Sequence, residues 1–136
     1  MSIEYRKFQK SDLHYFADLP DDNWKSTSIM LAHLLLNDDN TVERCYIALE
    51  NTTMIGFIYG FVLPNKTLIL ELMYVKPEYR HHGIGSSLLA MLEQESGCIA
   101  SMVFYNKSLH NYYQKLGYST GDNLETAIKT LNFKEA

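Results

Sequence analysis

Leu68-Ile69-Leu70-Glu71-Leu72-Met73-Tyr74-Val75 runs through Lys76-Pro77-Glu78-Tyr79 into Arg80-His81-His82-Gly83-Ile84-Gly85-Ser86-Ser87-Leu88-Leu89-Ala90-Met91-Leu92, and this stretch decides the fold. The apolar run Leu68 to Val75 is too short for a helix and is closed by Pro77, so it reads as a buried strand carrying one carboxylate, Glu71. Arg80 to Gly85 then places two glycines where backbone must turn tightly and come close to something. The spacing of Ile84, Leu88, Met91 and Leu92 starts a helix at once. Unpaired amides at a helix start, with the positive end of its dipole, make an anion site, and glycine lets a diphosphate lie against that backbone. The third glycine of a dinucleotide fingerprint is missing, because Leu88 stands in its place. No Gly-Lys-Ser/Thr follows, so this is not a Walker loop either.

Upstream, Ile3 to Phe8 alternates apolar and charged residues and predicts a half-buried first strand. Ser11 is the expected cap of a helix from Asp12 to Leu19, with Leu13, Phe16 and Ala17 on one face and Pro20 as its end. Asp21-Asp22-Asn23 turns into a second helix carrying Trp24, Ile29, Leu31, Leu34 and Leu35, which stops at Asn37 to Asn40. Cys45 to Leu49 and Met54 to Leu63 read as two strands of an antiparallel meander that leads into the organising strand. Within the second of these, Gly56 and Gly60 predict a bulge or a close backbone approach.

Downstream, the helix that opens at the glycine loop ends at Gly97, and Cys98 to Phe104 is a further apolar run. A helical crossover separates it from the organising strand, so the two should lie parallel. Asn106-Lys107-Ser108-Leu109-His110-Asn111-Tyr112-Tyr113-Gln114-Lys115-Leu116-Gly117-Tyr118 follows as a capped helix with Gly117 as its stop. Thr126 to Phe133 reads as a last strand. No repeat or linker interrupts the chain, and residues 1–136 are expected to form a single domain.

Two of these segments carry a resemblance. Val-x-Pro-x-Tyr-Arg-x-x-Gly-x-Gly between a strand and a helix resembles the acyl-coenzyme A signature of the Gcn5-related N-acetyltransferase (GNAT) superfamily. The run from Asn106 to Tyr118 is similar to that superfamily's Asn-x-x-Ala-x-x-Phe/Tyr-Tyr-x-x-x-Gly-Phe/Tyr, departing at Leu109 where alanine is usual. The resemblance implies an α/β fold: a central mixed sheet of about seven strands, four helices, and a parallel strand pair that splays to admit pantetheine. It implies acetyl-coenzyme A as co-substrate and an amine as acceptor. Met73, Tyr74 and Val75 of the strand, with Arg80, His81, His82, Gly83, Ile84, Gly85 and Ser86 of the loop, would hold the coenzyme, and Asn106 would reach its pantetheine. Tyr113 is the counterpart of the family's proton donor.

The chemistry can be tested against single residues. An alkyl ammonium has a pKa near 10.4, so a base is useful at neutral pH, and Glu71 is the candidate. Flanked by Leu70 and Leu72, its carboxylate is expected to be desolvated and its pKa raised. The competing reading makes Glu71 the partner of an arginine or of an ordered water. Tyr113 reads either as the donor to the thiolate or as a core tyrosine beside Tyr112. Arg80 would meet phosphate or bridge to Glu78, Lys115 would reach the coenzyme's ribose phosphate or face water, and the His81 and His82 side chains are expected in solvent. Adjacent histidines without a third ligand at useful spacing make a poor metal site, so no metal is expected.

A formal charge of −4 and a pI near 5.7 argue against a nucleic-acid surface and favour a cationic acceptor. Asp18, Asp21, Asp22, Asp38 and Asp39 would form an acidic acceptor wall, or simply face water at helix ends. Cys45 and Cys98 lie outside both motifs and read as buried free thiols, which suits a reducing compartment. With no apolar leader and no membrane-length apolar run, a cytoplasmic location is expected, as monomer or homodimer. The alternative to an enzyme is a coenzyme A-binding module that senses acyl-coenzyme A or mediates protein contacts.

Overall fold

The computed structural model describes residues 2–17, 19, 26–36, 42–119, 127 and 129, which fall into two units, Met1–Phe104 and Tyr105–Ala136. The first unit is built on a mixed sheet in the order β1 (Glu4–Lys7), β2 (Glu43–Glu50), β3 (Thr53–Val62), β4 (Thr67–Val75), β5 (Ala100–Val103). The first four strands are antiparallel neighbours, and β5 lies parallel to β4, as a crossover through α2 (Ile84–Ser96) demands. The described residues thus supply five of the strands expected. Of the closing strand expected over 126–133 only Ala127 and Lys129 are described, and Pro20 to Trp24 and Asn37 to Asn40, together with the Ile29 side chain, lie outside the described residues.

The sheet is covered on both faces. On one, Cys45, Ile47, Leu49, Met54, Phe57 and Tyr59 pack with Phe8, Phe16, and Met30 and Leu34 of α1 (Ser26–Leu36). Met30 and Leu34 are one turn apart, which is why they share the buried side of α1 while Leu35 is exposed. On the other, α2 packs against β2, β3 and β4, burying Ile84, Leu88, Leu89 and Leu92, and it ends at Gly97 in the left-handed conformation. The expected strand from Cys98 to Phe104 is shorter than the apolar run. Pairing covers only Ala100 to Val103, leaving Cys98 half-buried rather than buried and Met102 and Phe104 exposed.

The α-helix expected from Asp12 to Leu19 is instead a 3₁₀ helix, Lys10–Phe16, capped by Gln9 and not Ser11. The cause is Asp12. Its carboxylate accepts from Arg6 Nη1 at 2.8 Å, Arg6 Nη2 at 2.7 Å and the Gln9 amide at 2.7 Å, tying the turn to β1. The paired guanidinium, followed by the Gln9 amide, holds this buried carboxyl below its ordinary pKa.

Both glycines of β3 sit at bulges and at close approaches. Ala48 pairs with Gly56 and Leu49 with Met54, leaving Ile55 as the extra residue of β3. Tyr59 pairs with Leu72 and Gly60 with Leu70, leaving Glu71 as the extra residue of β4. A Cβ on Gly60 would stand 2.6 Å from the Ile69 carbonyl oxygen and 3.2 Å from Leu92 Cδ2, and one on Gly56 would stand 2.8 Å from the Tyr74 carbonyl oxygen. The strands close up at these points because no side chain intervenes.

Two measurements check this account. Gly60→Ala should lower stability by about 1–3 kcal/mol in urea denaturation, since the carbonyl it would strike is backbone and cannot rotate away. Asp12→Asn should cost about 2 kcal/mol at pH 7. A depressed carboxylate stabilises above its unfolded pKa, about 3.9, and that stability is lost as pH falls through the folded value. The gap between wild type and Asp12→Asn should therefore close as denaturation is repeated at progressively lower pH below about 4.

Candidate active site

The bulge at Glu71 decides which edge of β4 is available to a ligand. In a strand, the amide and carbonyl of one residue point to one edge and those of the next to the other. The Tyr74 carbonyl lies against β3, and the Lys76 amide donates to the Ile55 carbonyl on β3 at 2.8 Å. Met73 and Val75 therefore turn their amides and carbonyls toward the opposite edge. There the β5 ladder has ended at Leu70 and Val103, so β4 continues past the bulge without its parallel partner. Before the bulge the parity is reversed, since the Thr67 and Ile69 carbonyls both lie toward β3. One inserted residue exchanges the two sets.

The chain then turns through a short 3₁₀ helix, Pro77–Tyr79, held by the Tyr79 hydroxyl donating to Glu50 Oε1 at 2.8 Å. Arg80 neither bridges to Glu78 nor projects as a lone charge. Its Nε donates to the Val75 carbonyl at 2.8 Å, and its guanidinium carbon lies 5.9 Å from the Tyr74 ring centre. His81 takes a positive φ of 68° and Gly83 one of 79°. The turning glycine is thus Gly83, the cap of α2, while Gly85 lies inside the helix. The cap residue Gly83 has no side chain to offer α2, whose first internal bond is Ser87 N to Gly83 O at 3.0 Å. A Cβ on Gly83 would meet nothing within 4 Å, so the space over the loop is open. His81 and His82 are exposed, as expected, and Ile84 is buried in the core, so its amide is what it can offer a ligand. Met73, Tyr74, Val75, Gly85 and Ser86 are half-buried.

Glu71 departs from expectation. It is exposed, whereas Leu68, Ile69 and Leu70 before it are all buried, and it stands at the bulge as the extra residue of β4. Its charge is felt by Tyr59, a buried residue with no place in either motif. The Tyr59 phenol is pushed up by burial first, and then by the charges of Glu43 and Glu71.

The second unit holds Asn106 and Tyr113. Asn106 Oδ1 accepts from the Ser108 amide at 3.0 Å, capping the 3₁₀ turn Lys107–Leu109 that leads into α3 (His110–Lys115). Tyr113 is buried among Tyr105, Tyr112 and Tyr118, with ring centres 5.0, 5.1 and 5.7 Å away. Burial, with the neighbouring phenols second, pushes its pKa up to about 12, so it is protonated at neutral pH. Lys115 is exposed. Asp18, Asp21, Asp22, Asp38 and Asp39 lie outside the described residues, and among the described residues no group of three His, Cys, Asp or Glu is placed to hold a metal.

Comparison with known proteins agrees with this geometry. The acetyltransferase (GNAT) domain model matches residues 41–120. A spermidine N(1)-acetyltransferase of Thermoplasma acidophilum is 26% identical, over 90% of this chain and 91% of its own. The solved PaiA N-acetyltransferase of the same organism, in complex with coenzyme A, is 24% identical with a TM-score of 0.70, covering 90% of this chain and 93% of that one. An aminoglycoside N-acetyltransferase bound to a bisubstrate analogue is 18% identical with a TM-score of 0.72, covering 96% and 100%. With more than half its length matched by the family model, the chain belongs to the GNAT family and is an acetyl-coenzyme A-dependent N-acetyltransferase.

Proposed function

We propose that the chain transfers acetyl directly from acetyl-coenzyme A to the primary amine of a small cationic molecule of the polyamine class. The observation that carries the coenzyme reading is the end of the β4–β5 ladder at Leu70 and Val103, followed by Met73 and Val75 presented on the opened edge. Amides and carbonyls there suit the amide groups of pantetheine, and a strand amide, that of Met73, would polarise the thioester carbonyl as a single oxyanion donor. The start of α2 at Gly83 and the amides of His81 to Ser86 suit the diphosphate, with open space over Gly83. Asn106 and Tyr113 carry the pantetheine contact and the proton donation that the resemblance assigns to them.

The acceptor class is supported by the net charge of −4 and by the relative that acetylates spermidine. Direct transfer is supported by the cysteines. Cys45 is fully buried and its thiol is pushed up by that burial, which makes a poor nucleophile. Both cysteines are free thiols, which supports a reducing, cytoplasmic site of action. Glu71, exposed at the bulge, would take the acceptor's proton directly or through water.

Gly85→Val should weaken coenzyme A binding at least about tenfold by calorimetry while the melting temperature changes little, since a branched side chain would fill diphosphate space at the helix start. Unchanged affinity in the folded variant would end the diphosphate reading. Glu71→Gln should slow turnover at subsaturating amine near neutral pH, and the deficit should shrink as pH approaches the amine's own pKa, about 10. A deficit constant across the pH range would make Glu71 a substrate-binding residue instead.

A further inference from the structure

Tyr105 precedes the Asn106 cap and lies against two residues of α3 at once. Its hydroxyl is 3.2 Å from His110 Nδ1, and its ring centre is 5.0 Å from that of Tyr113 with the planes inclined by 36°. His110 and Tyr113 are three residues apart, so they share one face of the helix. The other two rings around Tyr113 meet it nearly edge-on, Tyr112 at 83° and Tyr118 at 81°. Tyr112 is fixed by the helix itself, and Tyr118 by its amide donating to the Tyr113 carbonyl at 3.1 Å. Among the described residues Tyr105 alone meets Tyr113 with its planes inclined well short of perpendicular, and it reaches α3 from outside the helix. What anchors the far end of its ring is the contact with His110.

That contact works in both protonation states of the imidazole. A neutral ring with a bare Nδ1 accepts from the phenol, whereas an imidazolium donates its Nδ1–H to the phenol oxygen. The anchor is therefore a permanent fixture rather than a pH switch. A phenolic O–H prefers the plane of its own ring, so a neighbour that fixes the Tyr113 plane also fixes the directions in which the Tyr113 proton can point.

We propose that Tyr105 and His110 are positioning residues: His110 holds Tyr105, and Tyr105 holds the ring plane of Tyr113 so that its proton faces the departing thiolate. This rests on Tyr113 being the proton donor. As the carbon–sulfur bond of the acetyl adduct breaks, its electron pair stays on sulfur and the Tyr113 proton moves there. Solvent then returns a proton to the phenolate.

The test is a double-mutant cycle on kcat, with acetyl-coenzyme A and whichever of spermidine, lysine and neamine the wild type acetylates fastest. Tyr113→Phe should lower kcat about 100-fold. With Tyr113 present, Tyr105→Phe and His110→Leu should each lower kcat about 3- to 10-fold, with KM for acetyl-coenzyme A within about twofold. In the Tyr113→Phe background the same changes should cost less than about 1.5-fold, because there is no proton left to aim. His110→Asn, which keeps an acceptor at the δ position, should restore turnover to within about twofold of wild type. Equal losses in both backgrounds would overturn the positioning role and leave a packing role, and so would an unchanged kcat in Tyr105→Phe. Full turnover in Tyr113→Phe would overturn the donor reading and the positioning role together. Should Tyr105→Phe fail to fold, the comparison of His110→Leu with His110→Asn decides the same question.

Discussion

The approach of the Ile69 carbonyl to Gly60 is the constraint on which the rest of the first unit depends. At 2.6 Å from the place where a Cβ would stand, it leaves room for no residue but glycine. Opposite it, β4 takes up one extra residue, Glu71, and the hydrogen-bonding parity of the strand reverses. Leu68 and Leu70 spend their edge on β5 before that point, while Met73 and Val75 are presented on it after that point. A strand that began as an ordinary central member of a sheet continues without its parallel partner. The same glycine faces Leu92 of α2, so the bulged strand pair and the helix share one packing contact.

The loop that follows is set by two different devices. Gly83 supplies a left-handed residue without steric cost, whereas His81 adopts the same region against a penalty of roughly 1 kcal/mol. That strain is absorbed by the contacts on either side, where Arg80 folds back onto the Val75 carbonyl and α2 buries Ile84. The loop is therefore aimed by the strand it leaves and by the helix it enters. Arg80 thus spends its Nε on this chain's own backbone, with the other guanidinium donors not engaged by that bond.

What was legible in the sequence followed periodicity and punctuation. The meander, the crossover and the parallel β5 could be read because Pro77, Gly97 and the apolar runs mark their bounds, and Gly56 and Gly60 were legible as bulges because glycine inside a strand has few other meanings. The exposure of Glu71 was not legible. Burial was inferred from the leucines on either side in sequence, but in a strand adjacent side chains point to opposite faces, so Leu70 and Leu72 say little about the surroundings of Glu71. The 3₁₀ helix was hidden for a similar reason: Asp12 reads as one more surface acid, and only the folded chain brings Arg6 within 2.8 Å of it. Tyr59 and the Tyr105–His110 contact depend on side chains distant from the motifs or on a hydroxyl meeting a ring nitrogen, and neither leaves a trace in spacing.

The Tyr79 hydroxyl bond to Glu50 joins residues 29 apart in the chain, anchoring the start of the loop to the β2–β3 hairpin. With Arg80 on Val75, it ties the loop to the sheet through bonds that involve no coenzyme atom. Bonds of this kind lower the ordering entropy that binding has to offset. The heat-capacity change of binding should consequently reflect the apolar surface covered by the ligand itself, with no added contribution from a segment folding around it.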